Sequence, residues 1–588
     1  MKRIYYVLFT IIIVLISIEC RKELSGENAF PGQGNIQSSP ISATLQGNII
    51  NENNQPAEGV TVTVGSKTAT TNSHGYFRIV DASLDKNASL VTAEQAGYFK
   101  AYRTFSATSG VNQVVIKLIK KTLAGTIDAA IGGSVSLTDG SKISLAANGV
   151  TGANGAAYTG NINVYASYID PASNDIGKKV PGSFMGDDKN NKRVVLSSYG
   201  MLSVELESAT GEKLQIAPNN TATLTIPIPS SILLSAPTSI SLWYVDEQTG
   251  IWKEQGTAQK NGNNYVGTVK HFCYWNCDSP LPAIGFSATF KTSENVPLTN
   301  TYVVIKPTTT DSANGYAHGY TDSLGQVSGL IPSGISLTLE VYGGCNDVVF
   351  SQNIGPFTSN TNLGTIVVPN SISSLITIKG KVLDCNNAPV SKGYATVYYD
   401  NMVYNAKVTS GGEFSTSFID CSSRPQTLEI FGVDETSQQQ GPSTTISVTG
   451  QLTDVGSISA CGTSSVEYIN CKLDGINYAF PLDSFMVYSA QDPMQATTFY
   501  TYISVWQPVN SISFSFSGDT APGVYPLNTL FVSSYNRIAL TRPFNVSLTS
   551  FPQNLGEFFD GSFSGSFKDS SDLSVNHAIS CSFHIRKY

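Results

Sequence analysis

The chain has 588 residues, too many for one hydrophobic core, and a soft prior of about one domain per 150 residues suggests four or five domains. Only 13% of its residues are Asp, Glu, Lys or Arg, well under the usual level of about 25%, and Gly, Ser, Thr and Asn fill the gap. The net charge of −8, with no Lys/Arg cluster beyond the extreme N-terminus, excludes a nucleic-acid partner, which needs a basic face. Abundant Tyr and Phe, with Val and Ile in short runs between polar turns, favour strands over helices, so the expected class is all-β.

The chain opens on a targeting segment, residues 1–20. Lys2 and Arg3 form a basic start, Ile4 to Ile18 is an almost unbroken apolar run, and Cys20 follows. A Cys in that place resembles the lipidated cysteine of bacterial lipoproteins. Ser17 and Glu19 stand where that family usually carries Leu and a small residue, which leaves an uncleaved apolar anchor as the alternative. The apolar run is short for a span of about 20 residues. The resemblance implies an exported outer-membrane lipoprotein of a Gram-negative cell, facing the surface or the periplasm and held to the membrane through its lipid. Residues 21–41, rich in Gly, Ser, Asn and Pro, read as a flexible tether.

Residues 42–121 contain "LQGNIINENNQPAEGVTVTVGSKTATTNSHGYFRIV". A strand leads to a polar turn at Pro56, Val60, Val62 and Val64 alternate, and Gly75 precedes Tyr76-Phe77. This resembles the carboxypeptidase regulatory-like domain, a small transthyretin-like β-sandwich that implies no peptidase activity. The pattern returns in residues 372–460 as "KGKVLDCNNAPVSKGYATVYYD" and "GGEFSTSF", and in weaker form in 281–371 as "GFSATFKTSENVPLTNTYVVI" and "TDSLGQVSGL". Gly75, Gly325 and Gly412 are expected at positive-φ turns. Three such copies imply spacer modules in an elongated row.

Residues 122–280 differ. "IGGSVSLTDGSKISLAANGV", "LWYVDEQTGIW" and "VKHFCYWN" resemble the β-sandwich domain of netrin receptors, ankyrins and zonula occludens proteins, in the variant found in cartilage intermediate layer protein. Residues 461–588 alternate strand and turn to the end. There His577 and His584 fall on opposite strand faces and are expected at the surface. The expected architecture is a tandem of immunoglobulin-like and transthyretin-like β-sandwiches.

Nine cysteines are present: Cys20 and eight from Cys273 onward. An even number in an exported chain points to disulfides. Proximity favours Cys385 with Cys421; a second reading ties Cys273 or Cys277 to Cys345, and the other pairings stay open.

The one chemically loaded stretch is 270–278, "KHFCYWNCD". On a regular strand Val269, His271, Cys273 and Trp275 share one face. A zinc site needs four convergent ligands and no fourth is evident, so no metal is expected. The first reading is a strand end with a disulfide. The second comes from the family resemblance, some of whose members cleave themselves at His-Phe-Ser on this strand. Cys273 takes the place of that Ser, His271 that of the base and Phe272 that of the acyl donor. With five His in the chain, no G-x-S-x-G elbow and no H-E-x-x-H helix, no other enzyme constellation or cofactor site stands out. The chain reads as non-enzymatic, displaying or spacing a binding surface for glycan or protein.

Overall fold

A computed structural model describes residues 38–587, apart from 73, 309–316, 345, 372–373, 401, 421–426, 480–484, 492–497, 506–510, 534, 536–537, 555 and 570–571. The expected signal segment with Cys20, most of the expected tether, Cys345 and Cys421 lie outside the described residues. The molecule is all-β, as expected. Among the described residues its helical segments are one α-turn at Ile176–Lys179 and one 3₁₀ turn at Ser230–Ile232. No described helix is long and apolar enough to cross a membrane.

The strands sort into five units, each around its own apolar core. Three units repeat one topology. In the first, the strand Pro40–Ile50 pairs antiparallel with Tyr76–Asp85 and parallel with Asn112–Lys117. The facing sheet holds Lys67–Thr70, Thr61–Val64, Ser89–Glu94 and Ala101–Phe105 in that order. The same arrangement recurs around the second half of Tyr274–Thr292 and around Leu375–Leu383, each flanked by one antiparallel and one parallel neighbour. The turn glycines explain why the copies agree. Gly75, Gly325 and Gly412 have φ of 66°, 76° and 82°. A Cβ on them would stand 2.3, 2.3 and 2.8 Å from the carbonyl oxygens of Ile49, Phe290 and Val382. Each therefore needs both a left-handed backbone and a missing side chain, which only glycine supplies.

The second unit is a larger sandwich whose core includes Ile162, Leu202, Leu242, Tyr265 and Trp275. It passes into the third without a linker. The strand Tyr274–Thr292 is 19 residues long. Its first half pairs with Arg193–Ser208 and Ser239–Asp246, its second half with Gln326–Pro332 and Thr361–Val368. Pro280 and Pro282 sit within this strand opposite Leu196 and Val194.

The expected elongated row is not what forms. The first unit packs against three others. Thr104 N–H donates to Gly182 O at 2.9 Å and Thr104 Oγ1 to Gly250 O at 3.0 Å, both in the second unit. Asp322 of the third accepts from Thr108 Oγ1 at 2.7 Å and from the Gly110 N–H at 3.1 Å. Gln46 Nε2 donates to Val403 O of the fourth at 2.7 Å. Two further apolar clusters cross unit borders. One joins Phe99 and Tyr102 to Trp243, Trp252 and Val304. The other joins Tyr76 to Tyr398 and Phe431. Aromatic side chains on the outer faces of the sandwiches remove enough apolar area from water to draw the units together.

Two disulfides are described. Cys471 and Cys581 stand directly opposite on paired antiparallel strands, 4.1 Å apart at Cα. Cys385 pairs with Cys461, 4.6 Å at Cα, and not with Cys421. The parallel ladder between Leu375–Leu383 and Leu452–Ser459 ends with Leu383 opposite Ser459, and both chains then continue to the cysteines. Nearness in sequence was the wrong guide, because this fold brings the first strand of a unit beside its last. Cys277 carries no disulfide and is buried in the core of the second unit, so a bridge from it to Cys345 does not form. Peptide mapping without reductant is expected to yield a cross-linked pair containing Cys385 and Cys461. Opening that bridge by Cys461→Ala is expected to cost about 4 kcal/mol on the chain-entropy account of a loop this long, measured by denaturant unfolding.

Candidate functional site

The stretch 270–278 does not run as one regular strand. Asn264–Val269 ends, the chain bends through 270–273, and Tyr274–Thr292 begins. The expected alternation fails at the bend, so that Phe272 and Cys273 both join the apolar core with Val269, Trp275 and Cys277. Three successive carbonyls in the bend are held by donors from elsewhere. His271 O accepts from Trp275 Nε1 at 3.0 Å, Phe272 O from Gln215 Nε2 at 3.2 Å, and Cys273 O from the Val204 N–H at 3.1 Å. The Phe272 N–H donates to Gln215 Oε1 at 2.7 Å.

The structure brings His271 and Cys273 together. Nδ1 of His271 lies 3.7 Å from Cys273 Sγ. The imidazole is fixed by its neighbours, edge-on to Tyr244 at 4.8 Å and tilted against Trp275 at 5.0 Å between centroids. The Cys273 thiol also donates to Tyr274 O at 3.3 Å. A thiol beside an oriented imidazole supplies two parts of an intramolecular acyl transfer, a nucleophile and a base. Gln215, Tyr244 and Trp275 belong to this site and were not singled out in the sequence. Gln215 sits in "KLQI", an ordinary alternating strand, and carries no local signal. Among the described residues no group of three or more His, Cys, Asp or Glu side chains is placed to hold a metal ion.

Behind the bend lies a buried polar trio. Asp278, Asn276 and Ser198 are fully buried, and Ser198 Oγ donates to Asn276 Oδ1 at 2.7 Å. Burial pushes the Asp278 carboxyl well above its ordinary 3.8, against the opposing pull of Ser198 and Asn276. Burial likewise pushes the Cys277 thiol up, with Asp278 adding to it, so Cys277 is no nucleophile at neutral pH.

A second candidate surface lies on the last unit. Asn470, Ser582, Ser562 and Ser547 stand opposite one another on four successive strands, and Asn477, Lys472, Ser580 and Ser564 form the neighbouring row. These polar rows line an open groove of about 800 Å³ with Tyr478 among its walls. The nearby histidines differ from expectation in part. His577 Nδ1 pairs with Asp474 at 2.7 Å, but His584 is buried, stacked on Phe558 and bonded to Asp560 and Ser464 O. Its strand ends beneath the 461–467 segment, which covers the outward face.

Fold and site together define a multi-sandwich β protein with one oriented Cys–His pair. No family model matches the chain. It is similar to cartilage intermediate layer protein 2 of Homo sapiens, 25% identical over 115 residues, which cover 19% of this chain and 10% of the relative. The Mus musculus counterpart is 23% identical over 154 residues, 25% of this chain and 13% of the relative. The chain thus spans about a tenth of the length of these curated relatives. Among solved structures it is similar to a streptococcal ancillary pilin, with 10% identity, 38% of this chain, 94% of that chain and a TM-score of 0.13. It is also similar to BcpA, the major pilin subunit of Bacillus cereus, with 11% identity, 71% of this chain, 99% of that chain and a TM-score of 0.11. Scores this low decide nothing further about the chain.

The buried Asp278 carries a pH signature. With its folded value raised, the native state keeps a proton that the unfolded chain gives up. Its contribution is fully present below the unfolded value and is lost as pH rises through the folded one. Asp278→Asn keeps the shape and removes the ionisation. The variant is expected to be at least as stable as the parent at neutral pH, with a flatter dependence of thermal midpoint on pH above the ordinary carboxylate range. A variant that loses stability with an unchanged slope rules this account out.

Proposed function

We propose that the protein is a non-enzymatic, exported cell-envelope lipoprotein, anchored through Cys20, that displays a binding surface for glycan or protein. The observation that carries this reading is the double row of Ser, Asn and Lys side chains across the groove of the last unit. Hydroxyl and amide groups both donate and accept, so an ordered array of them complements sugar hydroxyls or an extended peptide. The two disulfides support export, since such bridges persist in oxidising compartments. The groove lies in the last unit, at the far end of the chain from Cys20 in sequence.

A second reading is favoured by the 3.7 Å approach of His271 Nδ1 to Cys273 Sγ. On that reading the chain processes itself between Phe272 and Cys273 by an intramolecular acyl shift.

Two outcomes test the first reading. Cys20→Ala is expected to release the protein from the membrane fraction or block its maturation, read by fractionation and intact mass. An unchanged membrane fraction at unchanged mass favours the uncleaved anchor instead. Ser562→Trp and Ser580→Trp fill the groove at exposed positions without touching the core. On a glycan array and in pull-down from the cell envelope, each is expected to weaken the parent's binding by about tenfold or more, which is about 1.4 kcal/mol. Full binding by both variants places the ligand elsewhere.

A further inference from the structure

We propose that Gln215 is the residue that prepares the Phe272–Cys273 peptide for cleavage, its Nε2 donating to the oxygen that becomes negative on Phe272; this rests on the self-processing reading. The amide orientation follows from its contacts. Gln215 Oε1 accepts from two backbone N–H groups, Phe272 at 2.7 Å and Ile216 at 3.0 Å. Only a carbonyl oxygen can accept both, so the NH₂ group is the one that faces Phe272 O at 3.2 Å. The strand Lys213–Ile216 that carries Gln215 is paired on both edges. Leu214 lies opposite Leu206 on one side, and Gln215 opposite Thr151 on the other. The donor is thereby aimed before any charge develops, which is the condition for an oxyanion contact to accelerate a reaction.

The steps balance without a redox partner. The Cys273 thiol turns its one proton from Tyr274 O to His271 Nδ1, which takes it as Sγ adds to the Phe272 carbonyl carbon. The carbonyl oxygen carries the charge and is stabilised by Gln215 Nε2. Collapse breaks the bond from Phe272 C to Cys273 N, and the proton passes from His271 to that nitrogen. A thioester and a free amine remain. Water then opens the thioester, leaving a carboxylate on Phe272 and restoring the thiol. The neighbouring contacts assist. Trp275 Nε1 and the Val204 N–H hold the carbonyls on either side, so the flanking peptides are fixed as well.

The test uses the whole mature chain, incubated with hydroxylamine to capture a thioester and followed by denaturing gel and intact mass. The parent is expected to split between Phe272 and Cys273. Gln215→Glu keeps an acceptor for both N–H groups but puts a negative charge where the donor was. Gln215→Met keeps the length and removes both functions. Each is expected to slow splitting by about 100-fold, the scale of losing one oxyanion donor, while thermal midpoint and β-type circular dichroism stay near the parent's for Gln215→Glu. A purely structural glutamine moves the midpoint and not the hydroxylamine-sensitive rate at matched foldedness. Parental splitting that continues at the same rate in a folded Gln215→Glu overturns the role of Gln215 and leaves self-processing standing. A parent that remains one chain after hydroxylamine and boiling overturns both.

Discussion

The strand Tyr274–Thr292 constrains more of this molecule than any other element. Its first residues close the core of the second unit, with Trp275 and Cys277 fully buried. Its last residues open the third unit, with Phe290 fully buried in another core. A ladder on both halves leaves no hinge, because freeing a joint would unpair backbone groups whose partners lie in two different sheets. The second and third units are therefore one rigid body. The first unit, joined to both through Thr104 and Asp322, completes it. The bend at 270–273 is the point where the chain must turn from Asn264–Val269 into that fixed strand. The donors from Gln215, Val204 and Trp275 answer backbone groups that the bend takes out of the ladder.

Much of the architecture was legible because the three copies carry their constraints in single residues. Gly75, Gly325 and Gly412 mark a turn that no other residue can make beside the preceding strand. Pro56, Pro297 and Pro389 form the same isolated bridge to the strand before them. Such marks are local, and local marks survive in a sequence. What could not be read was whatever depends on which strands become neighbours. Cys385 meets Cys461 across a parallel ladder that closes only when the whole unit has folded. The row of spacers gave way to a packed cluster because Tyr76, Tyr102 and Tyr398 look like ordinary strand aromatics, and only the assembled faces show that they meet.

The candidate site divides the same way. His271 and Cys273 stand two apart, and their approach was readable as soon as a turn was supposed. Gln215 lies 57 positions upstream of Phe272 and has no motif of its own. The expectation of a disulfide at Cys277 failed for an energetic reason. Cys277 points into the apolar core of the second unit, where a thiol packs as a small apolar group. Asp278, next along the strand, faces the opposite way among Ser198 and Asn276, and burial keeps it neutral.

These environments bear on the self-processing reading through what a cut would leave behind. The bond between Phe272 and Cys273 lies inside the core of the second unit, not at a unit border. The residues after it are paired with Arg193–Ser208 on one side and with Ser239–Asp246 on the other. The residues before it include Val269 opposite Ala222. A break there removes one peptide bond and none of these ladders, so the two pieces keep the buried area that holds the unit together. Release of the new ends would need the strand Tyr274–Thr292 to peel away from both neighbours at once. Self-cleavage would thus convert the second unit into a joint held by noncovalent contacts alone. Its strength would be set by the two ladders, by the apolar surface of Trp275 and Cys277, and by the contacts of the first unit with the third and fourth. Under load the residues before the cut would part from the last three units only when those contacts also gave way, and the groove of the final unit would stay folded.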